Sequence, residues 1–200
     1  MKHGSHLARA LEVAANFAYL NALFIITSLP ILTIGPAWIA MMGVVRKWIK
    51  DEEPPITSTY FNIFKEYFKK AISISCVYLV VFTILIGDFV VLMRLPPMWK
   101  LIVVPLFLVI LVILISMTTY LYPLILNYKM TVKQLIRNAF YLSISRPIAV
   151  MAVVMFAVLL FVLSEIFRFI PFLCAFSVFT YIHYRVTYSS VIKVERILNT

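Results

Sequence analysis

The sequence predicts an all-α, polytopic transmembrane bundle of six membrane segments, the second one short, with two amphipathic helices on the cytoplasmic side. Three observations carry this. Of 200 residues, 64% are apolar and 13% charged, against about 45–50% and about 25% in a soluble domain. Long uncharged runs recur along the chain, and the basic residues crowd into the segments between them. A soluble protein of this size leaves roughly a third of its chain surface wet, so this much apolar surface needs lipid as its second solvent.

Each segment follows from the length a bilayer demands, about 20 apolar residues per helix. Residues 71–93, 101–126, 147–167 and about 171–190 meet it directly. The connection 94–100 (RLPPMWK) holds two prolines, which stop a helix, and the connection 168–171 (RFIP) is tighter still. Residues 7–29 are long enough for one further span. The stretch 30–36 (PILTIGP) then interrupts the helix at Pro30, Thr33, Gly35 and Pro36. Pro36 suits the first turn of a second, short helix, where its missing N–H costs little. The break is expected at the outer interface, with a protected cavity as the other place irregular backbone can survive. A five-span arrangement with the N-terminus outside is the alternative. The whole of residues 1–200 reads as one transmembrane domain with sub-units 7–50, 57–126 and 131–190.

Orientation follows from charge. The net charge is +10, which in a soluble chain would point to nucleic acid. Here Arg46, Lys47, Lys50, Lys65, Lys69 and Lys70 lie in one inter-span segment and Lys129, Lys133, Arg137 and Arg146 in another. Lys2 and Arg9 precede the first run, and Arg185, Lys193 and Arg196 close the chain. The tight connections hold Arg94, Lys100 and Arg168. Basic segments stay in the cytoplasm, which places both termini inside and removes the case for nucleic acid. The start of the chain lacks a convincing cleavage site before Pro30, so no signal peptide is read.

Two segments are amphipathic. In 57–70 (TSTYFNIFKEYFKK) Tyr60, Phe61, Phe64, Tyr67 and Phe68 form the predicted apolar face, opposite Lys65, Glu66, Lys69 and Lys70. In 131–142 (TVKQLIRNAFYL) Val132, Leu135, Ile136, Ala139 and Phe140 oppose Lys133 and Arg137, and Thr131 with Gln134 fits a capping box. Their basic residues are candidates for contact with lipid headgroups or a partner. Shifted by 68 residues, 64–71 lies over 132–139, a weak sign of a parallel repeat.

Ionisable groups at membrane depth are candidate functional groups. Asp88, Arg94, Glu165 and Arg168 are expected near the outer mouth as a charged cluster, ordinary snorkelling ion pairs being the plainer reading. Asn16 and Asn21 should seek partners across helices. Cys76 and Cys174 lie in apolar runs near opposite faces, and His3, His6 and His183 form no close intramembrane pair. No nucleophile with a base, metal-ligand set or phosphate loop is present, so the sequence predicts neither catalysis nor a metal or cofactor.

Asn21-Ala22-Leu23-Phe24 followed by Ser28-Leu29-Pro30-Ile31-Leu32-Thr33-Ile34-Gly35-Pro36-Ala37 resembles the N-terminal signature of the YesL-like family of bacterial membrane proteins. The basic turn Arg46-Lys47, the aromatic and lysine-rich 61–71, Tyr122-Pro123 and Asn138-Ala139 extend the match over most of the chain. That family has no established activity, and its genes often neighbour carbohydrate importers of the ATP-binding-cassette type and polysaccharide-degrading enzymes. The resemblance implies a bacterial cytoplasmic-membrane protein that serves such an importer as an accessory or regulatory partner. A stand-alone small-solute transporter is the competing expectation.

Overall fold

The computed structural model describes residues 3–50 and 52–198, and the side chains of residues 8–50, 52–171 and 173–189. Lys2 and the side chains of His3, His6, Lys193 and Arg196 lie outside the described set. Seven α-helices are described: α1 (His3–Thr27), α2 (Ile34–Ile49), α3 (Ile56–Arg94), α4 (Pro97–Asn127), α5 (Val132–Ser145), α6 (Pro147–Ile166) and α7 (Phe176–Leu198). A 3-10 turn at Ile31–Thr33 precedes α2, and a π-helical turn at Pro171–Ala175 leads into α7.

Helix starts follow the prolines and one cap. Pro97 opens α4 and Pro147 opens α6, each at a position where the lost N–H would have had no partner. At α5 the predicted capping box is formed, with the Thr131 side chain accepting from the Gln134 N–H and the Gln134 side chain accepting from the Thr131 N–H.

Among the described residues, four helices are long and apolar enough to cross a membrane: Ala8–Thr27, Ile56–Arg94, Pro97–Asn127 and Pro147–Ile166. The chain is therefore a helical membrane protein. Within the expected last span, residues 171–190, a π turn at Pro171–Ala175 leads into α7.

Two expectations are corrected. The amphipathic segment 57–70 is not a separate helix. It is the first part of α3, a continuous helix of 39 residues, about 58 Å long. Nothing between Ile56 and Ile86 is a proline or glycine, so no residue there stops the helix. Its buried face also differs: Tyr60 and Ile63 are buried and Phe61 is exposed, because α2 packs along the 60, 63, 71, 74 line. In α5 likewise Leu135, Ala139 and Leu142 turn inward while Ile136 and Phe140 stay exposed.

The core is centred on α2, whose residues 39–45 are all buried, ringed by α1, α3, α4 and α7. Glycines allow the closest approach. A Cβ on Gly35 would lie 2.0 Å from Ser75 Oγ and 3.2 Å from the Ala71 carbonyl, and one on Gly43 would lie 2.5 Å from Ile63 Cδ1. This pairing sets the start of α2 beside Ala71 and Ser75, next to the part of α3 where residues 65–70 carry charge.

Candidate functional site

The polar chemistry of the core starts with two helix defects. Pro123 sits inside α4 and has no N–H to give the Thr119 carbonyl four residues back. His183 of α7 takes that role, its Nε2 lying 2.8 Å from the Thr119 oxygen. A carbonyl only accepts, so Nε2 carries the proton and Nδ1 is left as an acceptor. The second defect is the π turn before α7. Asn21 of α1, wholly buried, donates from Nδ2 to the Pro171 carbonyl at 2.9 Å. Its Oδ1 accepts from the backbone N–H groups of Phe176 at 3.1 Å and Ser177 at 3.3 Å. The predicted cross-helix partner of Asn21 is therefore the start of α7 itself.

Between these two points lies an aromatic cluster. Trp38 is 5.6 Å from Phe24, 5.7 Å from Phe179 and 6.5 Å from both Tyr122 and His183, measured between ring centroids. Among the described residues, Trp38 Nε1 and His183 Nδ1 are buried without a hydrogen-bond partner, one a donor and the other an acceptor. Neither proline-orphaned carbonyl nor histidine partner was read from the sequence, although Pro123 inside an apolar helix was the available signal.

The predicted charged residues divide into those the fold uses and those it leaves outward. Asp88, Arg94, Glu165 and Arg168 are all exposed, and among the described residues no hydrogen bond or ion pair joins them. Lys65, Lys69, Lys133 and Arg137 are exposed as well. Lys70, expected to face a partner or lipid, instead donates to the Met130 carbonyl at 2.6 Å and ties α3 to the α4–α5 turn. Arg46 does the same for α2, donating to the Leu126 carbonyl at the end of α4. Pro30 and Thr33 lie in the turn between α1 and α2, and Gly35 and Pro36 in the first turn of α2. Cys76 and Cys174 are free thiols.

A cleft of about 1150 Å³ lies where the 52–57 segment folds back on α1. Phe17, Tyr19, Trp48 and Tyr181 supply aromatic walls, and Glu12, Glu52 and Glu53 supply carboxylates. Tyr19 OH meets Thr57 Oγ1 at 2.8 Å and fixes one side of it. Rings with hydrogen-bonding carboxylates and the Arg9 guanidinium suit a polyhydroxylated ligand. The cleft is made by a loop's return path, and the signal available in the sequence is the acidic run Glu52-Glu53-Pro54-Pro55 among basic residues. Among the described residues no three His, Cys, Asp or Glu side chains are grouped to hold a metal ion.

Residues 17–89 match the family model described as "Protein of unknown function, DUF624". Two Bacillus subtilis (strain 168) proteins are similar to the chain. "Uncharacterized protein YteU" is 27% identical over 209 residues, covering 98% of this chain and 91% of the relative. "Uncharacterized protein YesL" is 27% identical over 135 residues, covering 65% of this chain and 63% of the relative. No solved structure matches. These matches support the resemblance carried by the sequence motifs.

Proposed function

We infer that this chain, a membrane protein similar to the YesL-like family of unknown function, acts without enzymatic chemistry as an accessory or regulatory partner of a carbohydrate importer of the ATP-binding-cassette type. The observation that carries this is a division of labour among its cations. Lys70 and Arg46 are spent on internal carbonyls. Lys65 and Lys69 on α3, with Lys133 and Arg137 on α5, remain exposed. Such basic helix faces suit acidic surfaces of a partner subunit, with lipid headgroups as their other neighbour. The distribution of Lys and Arg supports a cytoplasmic C-terminus, in a bacterial cytoplasmic membrane.

The test is co-purification from gently solubilised native membranes. The wild-type chain should bring down importer permease subunits, and the quadruple reversal K65E/K69E/K133E/R137E should lose them and lower sugar uptake while remaining in the membrane. Recovery of the chain alone from membranes that contain the importer would sink the proposal.

A second reading, a stand-alone small-solute transporter, is favoured by the aromatic and carboxylate-lined cleft beside α1. Purified protein in sealed vesicles would then take up oligosaccharides, and Glu52→Gln in the cleft would weaken the uptake. Sealed vesicles that take up none of the oligosaccharides offered would end that reading.

A further inference from the structure

We propose that the α1–α2 hairpin enters the bilayer from the side of the basic segments, buries its apolar tip in that leaflet, and turns back without crossing. The register of the hairpin against α3 decides this. Gly35, at the start of α2, lies against Ala71 and Ser75, and Gly43 lies against Ile63. Tyr60 OH meets Thr27 Oγ1 at 2.6 Å and the Ala37 carbonyl at 3.3 Å. The tip is thus level with residues 71–75 of α3, and the body of the hairpin lies beside residues 60–67.

Above the tip α3 continues from Ser75 to Arg94, a climb of roughly 28 Å at the helical rise. No charged residue lies between Lys70 and Asp88. If α1 and α2 crossed the bilayer, the membrane would have to enclose Lys65, Glu66, Lys69 and Lys70 beside them. It would also leave Val77, Leu79, Val80, Phe82, Ile84 and Ile86, all exposed, in water. Both requirements run against the cost of charge in hydrocarbon and the gain of apolar burial. With the bilayer placed on residues 71–93 instead, the tip just enters it. So although α1 is long and apolar enough to span, its pairing with α3 stops it short, and the α6–α7 turn, held to Asn21 at Pro171 and Phe176, stays on the same side as the hairpin.

The tip itself is built for lipid. Leu29 is 76% and Ile31 68% exposed, and Leu32 and Ile34 are exposed beside them. No charged residue lies between Glu12 and Arg46. Nearby hydroxyls pair several of the carbonyls at the turn. Thr27 Oγ1 donates to the Leu23 carbonyl at 2.8 Å, Ser28 Oγ to that of Ile25 at 3.1 Å, and Thr33 Oγ1 to that of Thr27 at 2.7 Å. The Thr33 N–H donates to the Pro30 carbonyl at 2.8 Å, and Pro30 and Pro36 have no N–H to satisfy. Irregular backbone survives in hydrocarbon only where its polar groups are paired in this way.

The test uses the full chain with Cys76→Ala and Cys174→Ala, carrying one new cysteine at a time: Leu32→Cys in the tip, Met98→Cys in the α3–α4 turn, and Lys50→Cys after α2. A membrane-impermeant maleimide is applied to intact cells and to inside-out vesicles. Met98→Cys and Lys50→Cys should report opposite sides, and Leu32→Cys should never react from the side of Met98→Cys. A bimane on Leu32→Cys, in vesicles containing nitroxide lipids, should stay quenched after the nitroxides of the Met98 leaflet are reduced by an impermeant reductant. Labelling of Leu32→Cys from the side of Met98→Cys, or loss of all quenching on that reduction, would overturn the proposal.

Discussion

Residues 56–94 and 132–166 begin from the same pattern, an amphipathic basic segment followed by an apolar run, and fold differently. The first becomes one helix, α3, of 39 residues. The second becomes two helices, α5 and α6, parted at Arg146, whose backbone stands at φ −135°, ψ 60°. One residue accounts for the difference. Pro147 supplies no N–H and disfavours helical geometry in the residue before it, whereas the corresponding junction Lys70-Ala71-Ile72 contains no breaker. The lesson is that a change from amphipathic to apolar composition does not end a helix. A backbone that cannot continue does.

This comparison is broken most severely by Ala71→Pro. The proline would orphan the Tyr67 carbonyl and force its ring into the preceding turn, at about 3 kcal/mol or more. Because Ala71 is buried against Gly35, the α1–α2 hairpin should loosen too. A large fall in the thermal unfolding midpoint in detergent, with much reduced yield of monodisperse protein, is the expected result. Gly35→Ala probes the same junction from the other side. Its Cβ would meet Ser75 Oγ and press on the Ala71 carbonyl, an overpacking worth about 1–3 kcal/mol. The paired variant Gly35→Ala/Ser75→Ala should recover part of the loss, since it removes the nearer atom, and the same melting experiment reads both.

The smaller predictions concern α5 and α6. Thr131→Ala removes half of the capping box and should cost about 1 kcal/mol, seen as faster amide exchange over the first turn of α5. Pro147→Ala should change stability least. Its effect is conformational: with the breaker gone, α5 and α6 are free to join. Nitroxides at Tyr141 and Met151, both exposed, should then give a distance distribution narrowing toward about 15 Å, the rise of ten helical residues.

Much of this fold was legible in the sequence because lipid is a demanding solvent. It requires long uncharged runs; residues 71–93 and 101–126 sit within α3 and α4, and 147–167 overruns α6 by one residue, with prolines marking the turns. The Thr131–Gln134 cap was legible because it is local. What was not legible depends on pairing between distant segments. The level of the helix break is set by Gly35 meeting Ala71 and Ser75, which no local pattern reports. The inward turn of Lys70 toward Met130 and the filling of the Pro123 gap by His183 have the same origin. Of the candidate site residues, Asp88, Arg94, Glu165 and Arg168 were picked out because they are charged at membrane depth, a criterion that cannot say whether they meet. The cleft beside α1 escaped notice because residues 52–57 give a loop, and a loop's return path is fixed by tertiary contacts such as Tyr19 with Thr57.

α3 is one rod, so its basic half and its apolar half are held in fixed relation and the hairpin is carried at a fixed height. The most direct test is a spin-label distance along α3, with nitroxides at Phe61 and Val80, both exposed, in lipid bilayers. A continuous helix predicts a single narrow distribution near about 28 Å, nineteen residues of helical rise. A broad distribution centred well below that would mean that α3 bends or breaks at the bilayer surface, as α5 and α6 do, and would contradict the account.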